Sequence, residues 1–280
     1  MSDFNTLVFF LAAMVFTSAI AFYNGFFKLN ENTKIDVKFS YLFFVFFIYL
    51  GVNLIGGYFL TSIFQKYFSE ENIYKFYYVL NFLLSITVLI LLIVYFYKIN
   101  IKIVYEIIKK KTSTPQKKSY DIFIGIASYL IAYPIVGFFS SLVDILLTKV
   151  FKITFLPNQL AVEFIKKALS NPFNLIMGFV SVVILAPILE EFMFRGILYN
   201  FFKRFLNRFF SIILTSLIFA FFHFNNFQGY ANITIITALF FFSLFLNFLY
   251  EKQKSLISCI SLHATFNLIT TIQLILSKGN

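Results

Sequence analysis

Long apolar stretches separated by short polar breaks make up most of the chain, and they predict helices that cross a membrane. A helix needs about 20 apolar residues to cross the hydrocarbon core. No stretch alternates in the manner of a β-barrel, and a spanning segment must satisfy its own backbone hydrogen bonds. We therefore predict an all-α, polytopic transmembrane helix bundle of about eight spans. The predicted spans cover residues 4–27, 39–64, 73–97, 122–150, 173–205, 209–224, 233–250 and 256–276.

A polar, basic segment at residues 98–118 is the clearest break in this pattern, and it contains Thr-Ser-Thr-Pro at 112–115. It divides the chain into an N-terminal part, residues 1–118, and a second part, residues 119–280. A shorter amphipathic stretch, residues 158–169, is expected to lie at the membrane interface.

Composition excludes a water-soluble domain and leaves little reason to expect nucleic-acid binding. Hydrophobic residues make up 60% of the chain and charged residues only 12%, whereas soluble domains carry about 25% charged residues. The net charge of +11 comes from lysines and arginines between the apolar runs, which is typical of membrane anchoring. Neither a zinc-finger spacing nor an RNA-binding motif is present, so we expect contact with lipid and not with nucleic acid.

Two adjacent acidic residues, Glu190 and Glu191, lie inside the fifth apolar run. Each charge near a bilayer centre costs about 2.5–3.5 kcal/mol, so both need partners. Arg195 follows Glu191 by four residues and can pair with it on one helix face. Glu190 is rotated by about 100° from that face and has no local cation. Pro187 is expected to bend this helix and free a carbonyl group.

Both histidines of the chain, His223 and His263, also lie in or beside apolar runs, and Asn267 follows His263 by four residues. If the chain reverses near Asn207, Glu190 and His223 lie at a similar depth, about 25 Å from the turn. A lone intramembrane histidine can be a packing residue, and Glu191 with Arg195 can be a structural pair. The combined set predicts a functional site.

Several known intramembrane protease sites are missing from the sequence. A zinc-binding HExxH helix, a GxSG serine site and a GxGD aspartyl site are all absent. Instead, residues 190–195 match EExxxR, residues 219–223 match FxxxH and residues 263–267 match HxxxN. In this order, on successive helices, the motifs resemble those of the CPBP family of intramembrane proteases. That family includes type II CAAX prenyl endopeptidases and bacterial proteins linked to bacteriocin processing or self-immunity.

The resemblance implies a role for each motif residue. Glu190 would act as general base and His223 would assist in activating water, while His263 and Asn267 would stabilise the oxyanion. The resemblance covers about residues 173–276, so the second part of the chain would be the protease core and the first would carry N-terminal helices without a motif.

A competing scheme places a zinc ion on His223, His263 and one carboxylate, because this is a known catalytic zinc set. The family is often described as metalloproteases, and the spacing leaves both schemes open. In either scheme, Glu191 and Arg195 would hold the helix and orient Glu190.

The predicted function is therefore that of an intramembrane endopeptidase in a bacterial cell membrane. Its substrate would be a membrane-associated peptide or protein, such as a prenylated CAAX peptide or the precursor of a bacteriocin or pheromone. One alternative is a catalytically silent membrane scaffold or bacteriocin self-immunity protein. Another is a transporter or channel, in which the polar residues would line an ion path.

Overall fold

The computed structural model describes residues 3–29, 32–67, 70–109, 118–153 and 156–277. Regular structure within these ranges is helical, apart from one isolated β-bridge between Lys109 and Ser255. The predicted all-α bundle is therefore confirmed. The helices are α1 (Asp3–Tyr23), α2 (Phe39–Tyr67), α3 (Glu70–Ile99), α4 (Ile101–Ile108), α5 (Lys118–Val150), α6 (Leu160–Ala168), α7 (Pro172–Phe202), α8 (Arg208–Phe221), α9 (Ala231–Gln253) and α10 (Leu256–Ser277).

Seven of these helices are long and apolar enough to cross a membrane: α1, α2, α3, α5, α7, α9 and α10. The sixth predicted span forms α8, which has only 14 residues. It extends for about 21 Å, less than the ~30 Å of a hydrocarbon core. The helix ends before His223 because the chain turns there into a short 3₁₀ segment, Asn226–Gln228. The loop that follows is largely exposed, but it carries the partly buried His223 and the buried Gln228.

The polar segment at residues 98–118 contains a helix that the sequence pattern did not predict. In α4, the side chains of Ile103 and Ile107 are buried in the hydrophobic core that the helices share. Residues 112–115, which carry the Thr-Ser-Thr-Pro motif, lie outside the described residues. Division of the chain at residue 118 remains a prediction.

Helix α5 packs against α1, α9 and α10. Gly125 of α5 faces the backbone of Ser258 in α10 so closely that a Cβ atom would clash with it. Small residues allow such close approaches between membrane helices. This contact holds α10, which carries His263 and Asn267, closely against α5.

Helix α7 is irregular around the two glutamates. It is π-helical at Val180–Leu185, α-helical at Ala186–Glu191 and π-helical again at Phe192–Tyr199. Segments of this kind occur often at functional sites because the wider turn displaces carbonyls and side chains. The α-helical turn between them keeps the expected angle between Glu190 and Glu191.

Candidate active site

Glu191 and Arg195 form the predicted ion pair on α7. Arg195 Nη1 lies 3.1 Å from Glu191 Oε1, and both side chains are fully buried. The other guanidinium nitrogen, Nη2, donates a hydrogen bond to Ser243 Oγ at 2.6 Å. The guanidinium also lies 4.4 Å from the centre of the Phe219 ring, a favourable cation–π distance. These contacts join α7 to α8 and α9.

Glu190 lies on another face of α7 and points toward both histidines. Its Oε2 atom lies 3.6 Å from His223 Nε2 and 4.0 Å from His263 Nε2. Both separations are longer than a direct hydrogen bond, and Glu190 Oε2 is buried without a hydrogen-bond partner within the described residues. The structure therefore brings together three titratable side chains from α7, the turn after α8, and α10.

His223 is oriented by the helix that precedes it. Its Nδ1 atom lies 2.8 Å from the carbonyl oxygen of Phe219. A carbonyl oxygen can only accept a hydrogen bond, so Nδ1 carries the proton and donates it. In the neutral ring, Nε2 therefore has a free lone pair, and this atom faces Glu190.

His263 is oriented by Glu191. Its Nδ1 atom lies 2.7 Å from Glu191 Oε1, the oxygen that also binds Arg195. The ionised carboxylate accepts this hydrogen bond, so Nδ1 again carries the proton and Nε2 faces Glu190. The sequence did not reveal this contact, because it joins two residues that lie 72 positions apart on different helices.

Asn267 binds the backbone of α7. Its Nδ2 atom donates a hydrogen bond to the Val182 carbonyl at 2.8 Å. In a π-helical turn this carbonyl would accept from the amide five residues later, but that residue is Pro187, which has no N–H group. Asn267 thus satisfies the carbonyl that the proline leaves free, and its second amide hydrogen is not used in this bond.

A cavity of about 500 Å³ connects these side chains, since Glu190, His223, His263 and Asn267 all line it. Aromatic rings form much of its remaining wall. The aromatic lining residues are Tyr49, Phe219, Phe222, Phe224, Phe242 and Phe266. A cavity of this size can hold a peptide segment or a small ligand.

A second cavity, of about 540 Å³, is lined by Glu190 as well. Its wall comes from α2, α3, α6 and α7, and more than half of its lining residues have a polar group. The polar lining residues are Tyr49, Asn53, Tyr77, Tyr78, Asn81, Ser85, Glu163, Lys167, Ser181 and Glu190. Glu190 and Tyr49 thus lie where the two cavities meet.

Most of the lining residues were not singled out from the sequence, and Tyr49 and Gln228 are two examples. Tyr49 lies in α2, in the part of the chain without a motif, and no local pattern distinguishes it from the other tyrosines. Gln228 follows His223 by five residues and lies in a loop with several polar residues. Only 2% of its surface is exposed, and no sequence pattern indicates this burial.

The histidines and Glu190 have the donor types of catalytic zinc, but their spacing is wide. A tetrahedral site with bonds of 2.0–2.2 Å places its donor atoms about 3.4 Å apart, whereas Glu190 Oε2 lies 3.6 and 4.0 Å from the two nitrogens. Across the described ranges, no three His, Cys, Asp or Glu side chains are arranged to hold a metal ion. The residues do not fit a metal ion in this arrangement.

Seven membrane-length helices define an integral membrane protein, and α7, the turn after α8, and α10 bring carboxylates and imidazoles together within it. Residues 172–269 match the family model described as type II CAAX prenyl endopeptidase Rce1-like. This match includes all three motifs and confirms the resemblance that they predict. It supports a CAAX-type intramembrane endopeptidase in general. No curated protein and no solved structure shows significant similarity to the chain.

Proposed function

We propose that this protein hydrolyses a peptide bond of a membrane-associated substrate, with a water molecule activated by Glu190 and His223. The observation that carries the proposal is the position of Glu190 Oε2, which faces Nε2 of both histidines in a cavity large enough for a peptide segment. The family match to residues 172–269 supports the same class of reaction.

The distance between Glu190 and His223 suits a bridging water. At 3.6 Å, the two atoms can both hydrogen-bond to one water molecule that lies beside them. Glu190 takes a proton from this water, and the oxygen attacks the carbonyl carbon of the substrate. The tetrahedral intermediate then collapses, the C–N bond breaks, and the proton passes from Glu190 to the leaving nitrogen.

Two donors can stabilise the oxyanion of that intermediate. Asn267 has a second amide hydrogen beyond the one that binds Val182. His263 is the second proposed donor, through the Nε2 atom that faces Glu190, while its Nδ1 atom binds Glu191. In a dry site, preorganised donors of this kind can lower the barrier by several kcal/mol.

The proposed substrate enters from the membrane. The cavity lined by both histidines, the reaction cavity, has an aromatic wall that suits an apolar segment, and the family match favours a lipid-modified CAAX peptide. Precursors of bacteriocins or pheromones in a bacterial membrane fit the same chemistry.

Comparison of C-terminal and N-terminal peptides from membranes that contain the wild type or Glu190→Ala tests the function. We expect at least one cleavage product to disappear in the variant, and identical peptide sets would contradict the proposal.

Removal of metal ions is expected to leave the activity unchanged, because the site residues do not close around an ion and Glu190 can activate water directly. The measurement is peptide cleavage after treatment with a strong chelator, together with metal analysis of the active protein. We expect full activity and far less than one zinc ion per chain. Loss of activity that added zinc restores would favour the zinc scheme instead.

Water is proposed to reach Glu190 through the second cavity, whose lining includes Asn53, Asn81 and Ser85. Cysteine substitutions in a Cys259→Ser background test this route, since Cys259 is itself buried. Ser85→Cys, inside the cavity, is expected to react with a hydrophilic thiol reagent. Leu83→Cys on the same helix is the matched control, because Leu83 does not line the cavity and its exposed face would contact lipid. Equal reactivity of the two cysteines would contradict the route.

A further inference from the structure

Gln228 is a buried polar residue in the wall of the reaction cavity, and the mechanism above does not use it. Only 2% of its surface is exposed. Neither its amide nitrogen nor its amide oxygen has a hydrogen-bond partner within the described residues. Buried polar groups in native structures nearly always have partners, so an unpaired carboxamide needs an explanation.

The loop that carries Gln228 is held in place by side-chain hydrogen bonds. Asn232 accepts from the Asn225 amide at 3.1 Å and donates to the Asn225 carbonyl at 2.7 Å and the Gly229 carbonyl at 3.0 Å. Gly229 then reverses the chain with a positive φ of 48°, which glycine adopts readily. The position of Gln228 is therefore well defined, although its own side chain contributes no bond.

Gln228 lines the same cavity as Glu190, His223 and His263. A ligand that binds beside the proposed water therefore also contacts the wall that contains the unpaired carboxamide. Among the groups that can meet it there, a peptide group is the best match. A carboxamide offers an N–H donor and a C=O acceptor side by side, and a peptide group has the same pair.

We propose that Gln228 binds the backbone of the substrate. Its Nε2 donates to a substrate carbonyl oxygen, and its Oε1 accepts from a substrate N–H group. The substrate class is an extended peptide segment, whose free backbone groups need such partners in an apolar cavity. A lipid chain would satisfy neither amide atom, and a carboxylate or phosphate would use only the donor. This proposal rests on the proposed endopeptidase function.

The variant Gln228→Leu tests the proposal. Leucine has a similar volume and no polar side-chain atoms, so it removes a carboxamide that has no hydrogen-bond partner among the described residues. The substrate is a farnesylated peptide that ends in a CAAX sequence or, if that is not cleaved, a peptide that spans a site found in the membrane comparison. We expect KM to rise about tenfold, which corresponds to one or two neutral hydrogen bonds. We expect kcat to change little, because ground state and transition state lose the same contact.

Thermal stability separates this role from a structural one. Replacement of an unpaired buried polar group by an apolar one should leave the melting temperature unchanged or raise it. Gln273→Leu, an exposed position on α10 outside the cavity, is the matched control and is expected to keep the wild-type KM. N-methylation of the substrate at the bound nitrogen should weaken binding to the wild type and have less effect on Gln228→Leu.

The outcomes separate the two proposals. If the wild type cleaves a peptide and Gln228→Leu has the same KM, the role of Gln228 is wrong and the endopeptidase function stands. A raised KM with a lowered melting temperature would mean that Gln228 supports the fold, which also overturns its role. If the wild type cleaves neither peptide, the endopeptidase function fails, and the backbone-binding role fails with it.

Discussion

Replacement of Glu190 by glutamine is expected to lower kcat by about 10² to 10⁴, the usual contribution of a general base. Glutamine keeps the size of the side chain but cannot take a proton from water. Because Glu190 Oε2 has no hydrogen-bond partner within the described part of the chain, we expect the substitution to leave the fold intact. The measurement is the rate of peptide cleavage by purified protein in liposomes, with thermal unfolding as the check on folding.

Glu106→Gln is the matched control for this experiment. Glu106 is an exposed residue of α4 and lies outside both cavities. It should keep wild-type activity. Cleavage by Glu190→Gln at the rate of this control would show that another group activates the water.

The second large effect is expected for stability. Arg195→Met should lower the free energy of unfolding by about 3–5 kcal/mol, the usual result of leaving a buried charge without its partner. Glu191 would remain buried, and within the described ranges His263 would be the partner left to compensate for its charge. Thermal unfolding in detergent, followed by circular dichroism, measures the loss.

Arg204→Met provides the comparison for that substitution. Arg204 pairs with Asp36 at 3.1 Å, but both side chains are substantially exposed, and such pairs contribute about 0–1 kcal/mol. We expect a small loss there, including the loss of its bond to the Val37 carbonyl. Equal losses for the two variants would mean that the pair in the interior is not effectively desolvated.

The spacing of residues along the sequence predicted which site residues share a helix face and which lie at the same depth. The four-residue spacing of Glu191 and Arg195 gave their ion pair, and the angle between adjacent residues placed Glu190 on another face. The depth argument for Glu190 and His223 also agrees with the structure. These predictions succeeded because helix geometry converts sequence distance directly into position.

Contacts between helices could not be predicted in the same way. The bond between Glu191 and His263 depends on how α7 and α10 pack, which apolar periodicity does not specify. The contribution of Tyr49 to the cavity depends on the docking of α2, a helix without a motif. The short length of α8 was missed because the apolar run continues past the turn that ends the helix.

The central claim is that Glu190 and His223 act together on one water molecule. The most direct test is a double-mutant cycle, in which kcat/KM is measured for Glu190→Gln, His223→Ala and the double variant. Residues that act as a unit have strongly non-additive effects. We predict that the double variant is about as slow as the slower single variant. If the two losses multiply instead, the residues act independently, and the account of a shared catalytic water is wrong.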